Sequence, residues 1–512
     1  SSDISSCIPL YIDKIPEIDQ TFHDEEGLLD LTKSSTEEDI IKNTNIATFL
    51  MTFSEFYLAY KYASENTFDI ILMDRSLSNM YSSLLYDTSN RKAWNTNLSI
   101  MNYHVDGHQL DINDLTIARY SLINNQLNLP PDRGNYLRYK IINLLSRHTE
   151  EFSLDQIIKI LNIKNNKRTR NKIKRFIDKS VNEGIFLENK NTGTYIIKSK
   201  YRSTWKRIKT IVQEIGNKIF NDEVEPFILK SKTGVKRWLT SLDISFLTLF
   251  SFYLVIEECW NNNILLIGIT KDTTAQEFKN HVIPICLRNN IWNNSCERIE
   301  NNLVNAPNTD RMLLQSLSIL NHEKINVPWS LIEYDAAFVT TVPDFQKRKG
   351  YVSGAIKNNI IPSHLFLRSF VQLRDSNRNT KLRSNILAID RLVNPKFDLI
   401  SDENTIQFKH DYGTIEFVKL LLFKNQKSEN KIQNLLLVIL NAMSSSNIGE
   451  AFGYNKALFV ADKVAKWNNE EFGKIVDSAS HMIICNKNLR NFVYYMNTFR
   501  EKRQIFESNR RL

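Results

Sequence analysis

The stretch Phe68-Asp69-Ile70-Ile71-Leu72-Met73-Asp74-Arg75-Ser76-Leu77 decides how the chain is read. Residues 70–73 form a short apolar run of β-branched and long aliphatic side chains, and Asp74 ends it. Such a run bounded by polar residues predicts a buried strand. The acid that closes it would then stand at the rim of a sheet. Arg75, Ser76 and Leu77 read as the turn into a second strand or a loop. One carboxylate cannot hold a metal pair, so the question is which acids join Asp74. Three others stand out: Glu257 and Asp272, where other predicted elements end, and Asp462, within a predicted helix.

The remaining composition narrows the setting. A chain of 512 residues with 42% hydrophobic and 11% aromatic residues can bury a sizeable core and divide into more than one domain. Net charge is +9, and it is concentrated. The segment from Lys159 to Lys209 holds sixteen Lys and Arg against three acids, a net +13, so the remainder is mildly acidic at −4. A basic module on an acidic body fits a polyanion partner, most simply DNA; the alternative is a solvated basic helix face. The five cysteines, Cys7, Cys259, Cys286, Cys296 and Cys485, are odd in number and widely spaced with no CxxC. That argues against a disulfide framework or a zinc site and for a reducing, cytoplasmic setting. The uncharged run Ile244–Ile256 is too short for a bilayer, which takes about 20 residues, so no membrane partner is expected.

Taken in order, residues 1–45 read as an acidic N-terminal arm, and 46–134 as the first part of a core. Within that part Thr48–Ala63 has helical spacing of aromatic residues, Met80–Tyr86 and Leu98–Val105 read as strands, and Asp111–Asn125 as a helix with Asp111 or Asn113 at its N-cap. Residues 135–200 form a self-contained pattern. Tyr136–Arg147, Leu154–Leu161 behind the cap candidate Ser153, and the basic Arg168–Glu183 are three helices; Ile185–Leu187 and Tyr195–Ile197 form a hairpin about Asn189–Gly193. Three helices and then a hairpin predict a winged-helix-like insertion. Its third helix would offer Arg168, Arg170, Lys172, Lys174 and Arg175 to nucleic acid, with protein contact as the alternative use. Residues 201–480 return to the core, with helices at Thr204–Ile219, Leu242–Glu257 and Gly453–Trp467 and strands at Ile264–Thr270, Leu365–Leu373 and Asn385–Asp390. Residues 481–512 close in a basic helix. The fold class is therefore α/β: an RNase H-like mixed sheet flanked by helices, interrupted by the winged-helix-like module.

In an RNase H-like sheet, acids from strand ends and from helices converge on two divalent ions, which activate water and stabilise the leaving oxygen. Hard carboxylate oxygens suit Mg²⁺ or Mn²⁺. At these residues the chain resembles the NurA nucleases, which process DNA ends with the HerA hexameric ATPase. The resemblance spans roughly residues 50–480. Ile71-Leu72-Met73-Asp74-Arg75-Ser76 stands for the family's strand ending in Asp-Gly-Ser, with Arg75 where the family has Gly. Glu257, the apolar strand after it and Lys271-Asp272-Thr273 resemble the helical Glu and the Lys-Asp-Ser motif, with Glu258 an alternative register. Gly453-Tyr454-Asn455 through Ala461-Asp462 resembles the last motif, with Asn455 in place of Pro and Asp462 in place of His.

The resemblance implies a metal-dependent deoxyribonuclease with Asp74, Glu257, Asp272 and Asp462 as metal ligands, Tyr454 orienting substrate and Lys271 meeting a phosphate. It also implies a homodimer that docks on a HerA-like hexameric ATPase. Asp310 stands near another family-like position. The departures leave open a catalytically weakened DNA-binding subunit, and the fold leaves open another RNase H-like nuclease or transposase. No phosphate-binding GxxxxGK[ST] loop occurs, so any ATP hydrolysis belongs to a partner.

Overall fold

The computed structural model describes residues 46–90, 94, 98–105, 107–122, 136–161, 165–221, 227–230, 236–271, 273–288, 305–338, 365–375, 382–398, 401–409, 417–423, 431–444 and 455–486. The predicted arm at 1–45, Asp272, Tyr454 and the chain beyond 486 lie outside them.

The architecture is mixed α/β. Helix α1 (Ile46–Glu65) leads into strand β1 (Ile70–Met73), and helix α2 (Leu77–Asp87) follows at once. Met80–Tyr86 is therefore helical and not a strand. Ser76 decides this: its side chain caps the helix by accepting from the Asn79 amide. The stretch expected as a strand at Leu98–Val105 is a 3₁₀ turn at Ile100–Asn102 and a two-residue strand, His104–Val105. Helix α3 (Ile112–Ala118) is capped by Asp111 in a capping box with Asp114, shorter than the expected run to Asn125.

The basic module comprises α4 (Tyr136–Arg147), β2 (Phe152–Ser153), α5 (Leu154–Ile160), α6 (Lys167–Asn182), β3 (Phe186–Asn189) and β4 (Thr194–Ile197). Its strands pair antiparallel in the order β2-β4-β3. Ser153 caps α5 in a box with Gln156, as its position in the sequence implied. Gly184 follows α6 with φ +74, a backbone that a Cβ disfavours. The module has its own apolar cluster, including Ile142, Leu145, Ile157, Ile173, Ile177 and Phe186, and Ile117 and Tyr120 pack into it.

The chain then continues through α7 (Thr204–Phe220) and α8 (Ser241–Asn262) to β5 (Leu265–Thr270). Helix α9 (Asp310–Leu320) precedes β6 (Trp329–Ser330) and β7 (Tyr334–Asp335); β8 (Phe366–Gln372) and β9 (Leu387–Leu392) complete the main sheet. A small hairpin, β10 (Thr405–Lys409) and β11 (Phe417–Leu421), and helices α10 (Lys431–Ala442) and α11 (Lys456–Cys485) follow. The break expected after Trp467 is absent, and α11 runs on unbroken through that point.

The sheet order is β1-β5-β9-β8-β6, with β7 also on β8. β1 and β5 are parallel, and the other pairs are antiparallel. Residue alternation divides its faces. Ile70, Leu72, Ile267, Ile269, Leu387 and Ile389 pack beneath Leu436 and Leu440 of α10 and Leu458 of α11. Met73, Leu266, Phe366 and Leu392 pack beneath α1, α2, α7 and α8. The far part of that second face, with Phe370 and Ala388, is covered by Phe278, Val282 and Leu313. Helix α8 is apolar on nearly every side, as a helix sandwiched between α1 and the rest of the core must be.

Candidate active site

The parallel register Met73↔Gly268 brings the C-terminal ends of β1 and β5 to one rim. Asp74 and Lys271 meet there, with the Lys271 ammonium 3.7 Å from an Asp74 carboxylate oxygen. Asp74 is 44% exposed, so its oxygens are open to a ligand from solvent. Asp272 follows Lys271 in the chain but is not among the described residues.

A second acid approaches Asp74 that the sequence did not single out. Glu55 on α1 pairs with Arg75, whose guanidinium also lies over the Phe56 ring at 5.7 Å from its centroid. Burial raises the Glu55 carboxyl above its ordinary range, Arg75 opposes this, and the Asp74 charge adds to it.

Glu257 is placed elsewhere. It sits on α8, on the opposite face of the sheet from α10 and α11, and accepts a hydrogen bond from Trp205 Nε1 of α7 at 2.8 Å. Its neighbour Glu258 pairs with Lys209 at 2.7 Å. Burial pushes the Glu257 carboxyl up to about 7, with Trp205 and Lys209 opposing and Glu258 adding. Glu257 is thus engaged by Trp205 of α7. Asp462 lies on α11, one turn beyond Leu458 and Phe459, and these cover the face toward which alternation turns Asp74. Among the described residues, no three Asp, Glu, His or Cys side chains lie together at metal-binding spacing.

The raised Glu257 carboxyl has a consequence for stability. A carboxyl whose folded value exceeds its unfolded value stabilises the fold below the unfolded value, and that stability is lost as pH rises through the folded one. The parent should therefore lose on the order of 2 kcal/mol between pH 4.5 and 7.5 that Glu257→Gln does not lose. Denaturant unfolding of both proteins across that range checks this. Parallel stability profiles would show that Glu257 is not held protonated.

The densest polar feature is a row that crosses the sheet beside the rim. Met73, Gly268, Asp390, Arg368 and Tyr334 are consecutive partners in register on β1, β5, β9, β8 and β7. Residues in register share a face. Arg368 and Asp390 thus sit between the two apolar halves of that face, and both are buried. Arg368 Nε donates to Asp390 Oδ1 at 2.7 Å, and Nη1 donates to Glu277. Ser76 Oγ and Ser78 Oγ donate to Asp390 Oδ2 at 2.6 and 2.8 Å. Burial opposes ionisation of Asp390, but the Arg368 charge and the two serine hydroxyls more than offset it and hold the carboxyl below its ordinary range.

Asp310, at the start of α9, lies next to this row. It accepts from the amides of Phe278 and Lys279 at 2.9 and 2.8 Å. Burial pushes its carboxyl up to about 7, those amides opposing and Glu277 adding. Comparison with protein families, curated proteins and solved structures gives no match to this chain. The reading of the site therefore stands on its geometry.

On the module, α6 presents Arg168, Lys172, Lys174 and Arg175 on its exposed side, while Thr169, Ile173 and Ile177 face inward. Burial, and then the Arg168 charge, hold the Lys172 ammonium below its ordinary value. That crowding of positive charge is what an anion would relieve. Arg170 differs from its neighbours, because its guanidinium is committed to Asp155 at 2.6 Å and Asn165 at 3.3 Å. No helix among the described residues is long and apolar enough to cross a membrane.

Proposed function

We propose that the protein is a metal-dependent DNA nuclease of the NurA type, built on an RNase H-like sheet with a winged-helix DNA-binding module. The observation that carries this reading is the rim. Two parallel strands end together there, and an open carboxylate, Asp74, stands beside the Lys271 ammonium. The donor set suits Mg²⁺ or Mn²⁺ at Asp74, with Asp272 next in the chain after Lys271 and Asp462 on the helix over the adjoining face. A divalent ion held by these oxygens would supply Lewis-acid stabilisation of the phosphodiester. Lys271 would steer the scissile phosphate to Asp74 by charge. Glu257 fits this set poorly. The acid whose charge reaches Asp74 is Glu55, which would take the place of a helical ligand.

The order helix, strand, helix, helix, hairpin with strands paired β2-β4-β3 supports the winged-helix reading of the module. The homodimer and the HerA-like hexameric ATPase come from the resemblance alone. A second reading, a catalytically weakened DNA-binding subunit, is favoured by one observation: Glu257 is turned to Trp205.

Cleavage of end-labelled DNA across a Mn²⁺ and Mg²⁺ titration tests the proposal. Asp74→Asn is expected to lower cleavage at saturating metal by at least about 100-fold, the loss that follows when a charge-bearing group of a metal site is removed. A parent that binds DNA but cuts with neither ion selects the second reading.

A further inference from the structure

We propose that Arg368 is a positioning residue that holds the two segments of the rim in fixed relation. For its catalytic consequence this rests on the nuclease reading; its structural part does not.

The first segment is the turn from β1 into α2. Gly268 lies directly beneath it, since a Cβ on Gly268 would come within 2.3 Å of the Arg75 carbonyl oxygen. The turn backbone is therefore seated on β5, one residue past Asp74. It is fastened by its serines: Arg368 Nη2 donates to Ser76 Oγ at 2.8 Å and to Ser78 Oγ at 2.7 Å. The Ser78 amide donates to Asp390 at 3.1 Å.

The second segment leaves β5 after Lys271. It is fastened at Glu277, which accepts from Arg368 Nη1. Asp310 keeps it in place from the other side through the Phe278 and Lys279 amides, and the Asp310 amide donates to the Ala275 carbonyl at 2.8 Å. Lys279 Nζ adds bonds to the carbonyls of Ala306 and Pro307.

One guanidinium thus reaches both segments, and its planar fork is what makes that possible. Nε serves Asp390, Nη1 serves the segment after β5, and Nη2 serves the β1–α2 turn while also donating to Asp390 Oδ2 at 3.0 Å. A lysine would supply a point charge without this division of labour. A buried ion-pair network of this kind is a poor source of stability compared with apolar packing, but it fixes geometry, because its partners have no alternative once buried. Tyr334 continues the row, and its hydroxyl has no hydrogen-bond partner among the described residues.

The test is residue-resolved hydrogen exchange on the full chain, followed by the metal titration. Ser76→Ala/Ser78→Ala leaves the Arg368 ion pairs in place and should speed exchange about tenfold at the amide of position 78 and at Asn79 and Met80, while leaving Phe278 and Lys279 unchanged. Glu277→Gln should do the reverse. Arg368→Lys, which keeps the charge, should loosen both segments together. In the titration, Arg368→Lys should raise the Mn²⁺ concentration for half-maximal cleavage by about tenfold, whereas a merely structural loss would lower the melting temperature and leave that midpoint where it was. Exchange that rises uniformly over the sheet in Arg368→Lys, or at neither segment, overturns the proposal. If the parent cuts DNA with neither ion, the nuclease reading falls and the exchange pattern alone decides on Arg368.

Discussion

Arg391→Met is expected to destabilise the protein by about 3–5 kcal/mol, the cost of leaving buried charge without its partner. Arg391 lies on β9, next to the Arg368–Asp390 row but alternating to the other face, and only about 1% of its side chain is accessible. It donates to Glu333 through Nε and Nη2, and to Asp398 through Nη1 and Nη2 at 2.8 and 2.7 Å. Both carboxylates are buried as well. Burial disfavours the Arg391 charge, but Glu333 and then Asp398 more than offset this and raise its affinity for the proton. Methionine roughly keeps the volume and removes the compensation for two acids at once. Chemical denaturation measures the loss. The triple replacement Arg391→Met/Glu333→Leu/Asp398→Leu, which removes all three charges, should recover most of it. A loss under about 1 kcal/mol for the single variant, below the range for a broken buried pair, would mean that water reaches Glu333 and Asp398.

The second large effect concerns nucleic acid. Replacing Arg168, Lys172, Lys174 and Arg175 with Ala should reduce the slope of log K against log salt by about 3–4, near 0.9 for each phosphate no longer neutralised. At 0.1 M salt, relative to 1 M, the corresponding loss of affinity for duplex DNA is about three to four orders of magnitude. Arg170→Ala serves as the internal control: its guanidinium already has Asp155, so the slope should barely change. Fluorescence anisotropy across a salt series reads both. A slope that the fourfold variant leaves unaltered would mean that the module binds protein instead.

Much of the fold was legible because its signals are local. The apolar runs at 70–73 and 264–270 are strands β1 and β5, and the caps Asp111 and Ser153 start helices as their spacing implied. Two local readings failed. Met80–Tyr86 mixes serine with aromatic and aliphatic residues in a way that resembles a strand, yet the Ser76 cap commits the chain to a helix. The helix expected to end at Trp467 instead continues through that point in α11.

The site was legible at its rim and not at its foundation. Asp74 could be found because an acid ending an apolar run is visible in sequence. The row of Gly268, Asp390 and Arg368 could not, because register between strands far apart in the chain leaves no local pattern. Its one trace is charge inside two buried strands, Arg368 in β8 and Asp390 in β9, and there Asp390 is adjoined by Arg391, which turns to the other face. Glu257 misled for a related reason. A glutamate near a helix end shows its place along the helix, but which neighbouring helix claims it depends on Trp205, fifty-two residues earlier.

The pairing of β1 with β5 also orders events during synthesis. Ile70–Met73 has no partner in the sheet until Leu265–Gly268 has left the ribosome, roughly 190 residues later. At about 5–20 residues per second that is a wait of some 10 to 40 seconds. Contacts of such long sequence range form late, whereas the module between them closes on neighbours in sequence. The nascent chain should therefore carry a folded basic module while the Asp74 strand is still an unpaired edge. The rim, and any chemistry it performs, would come into being only after the basic module has closed.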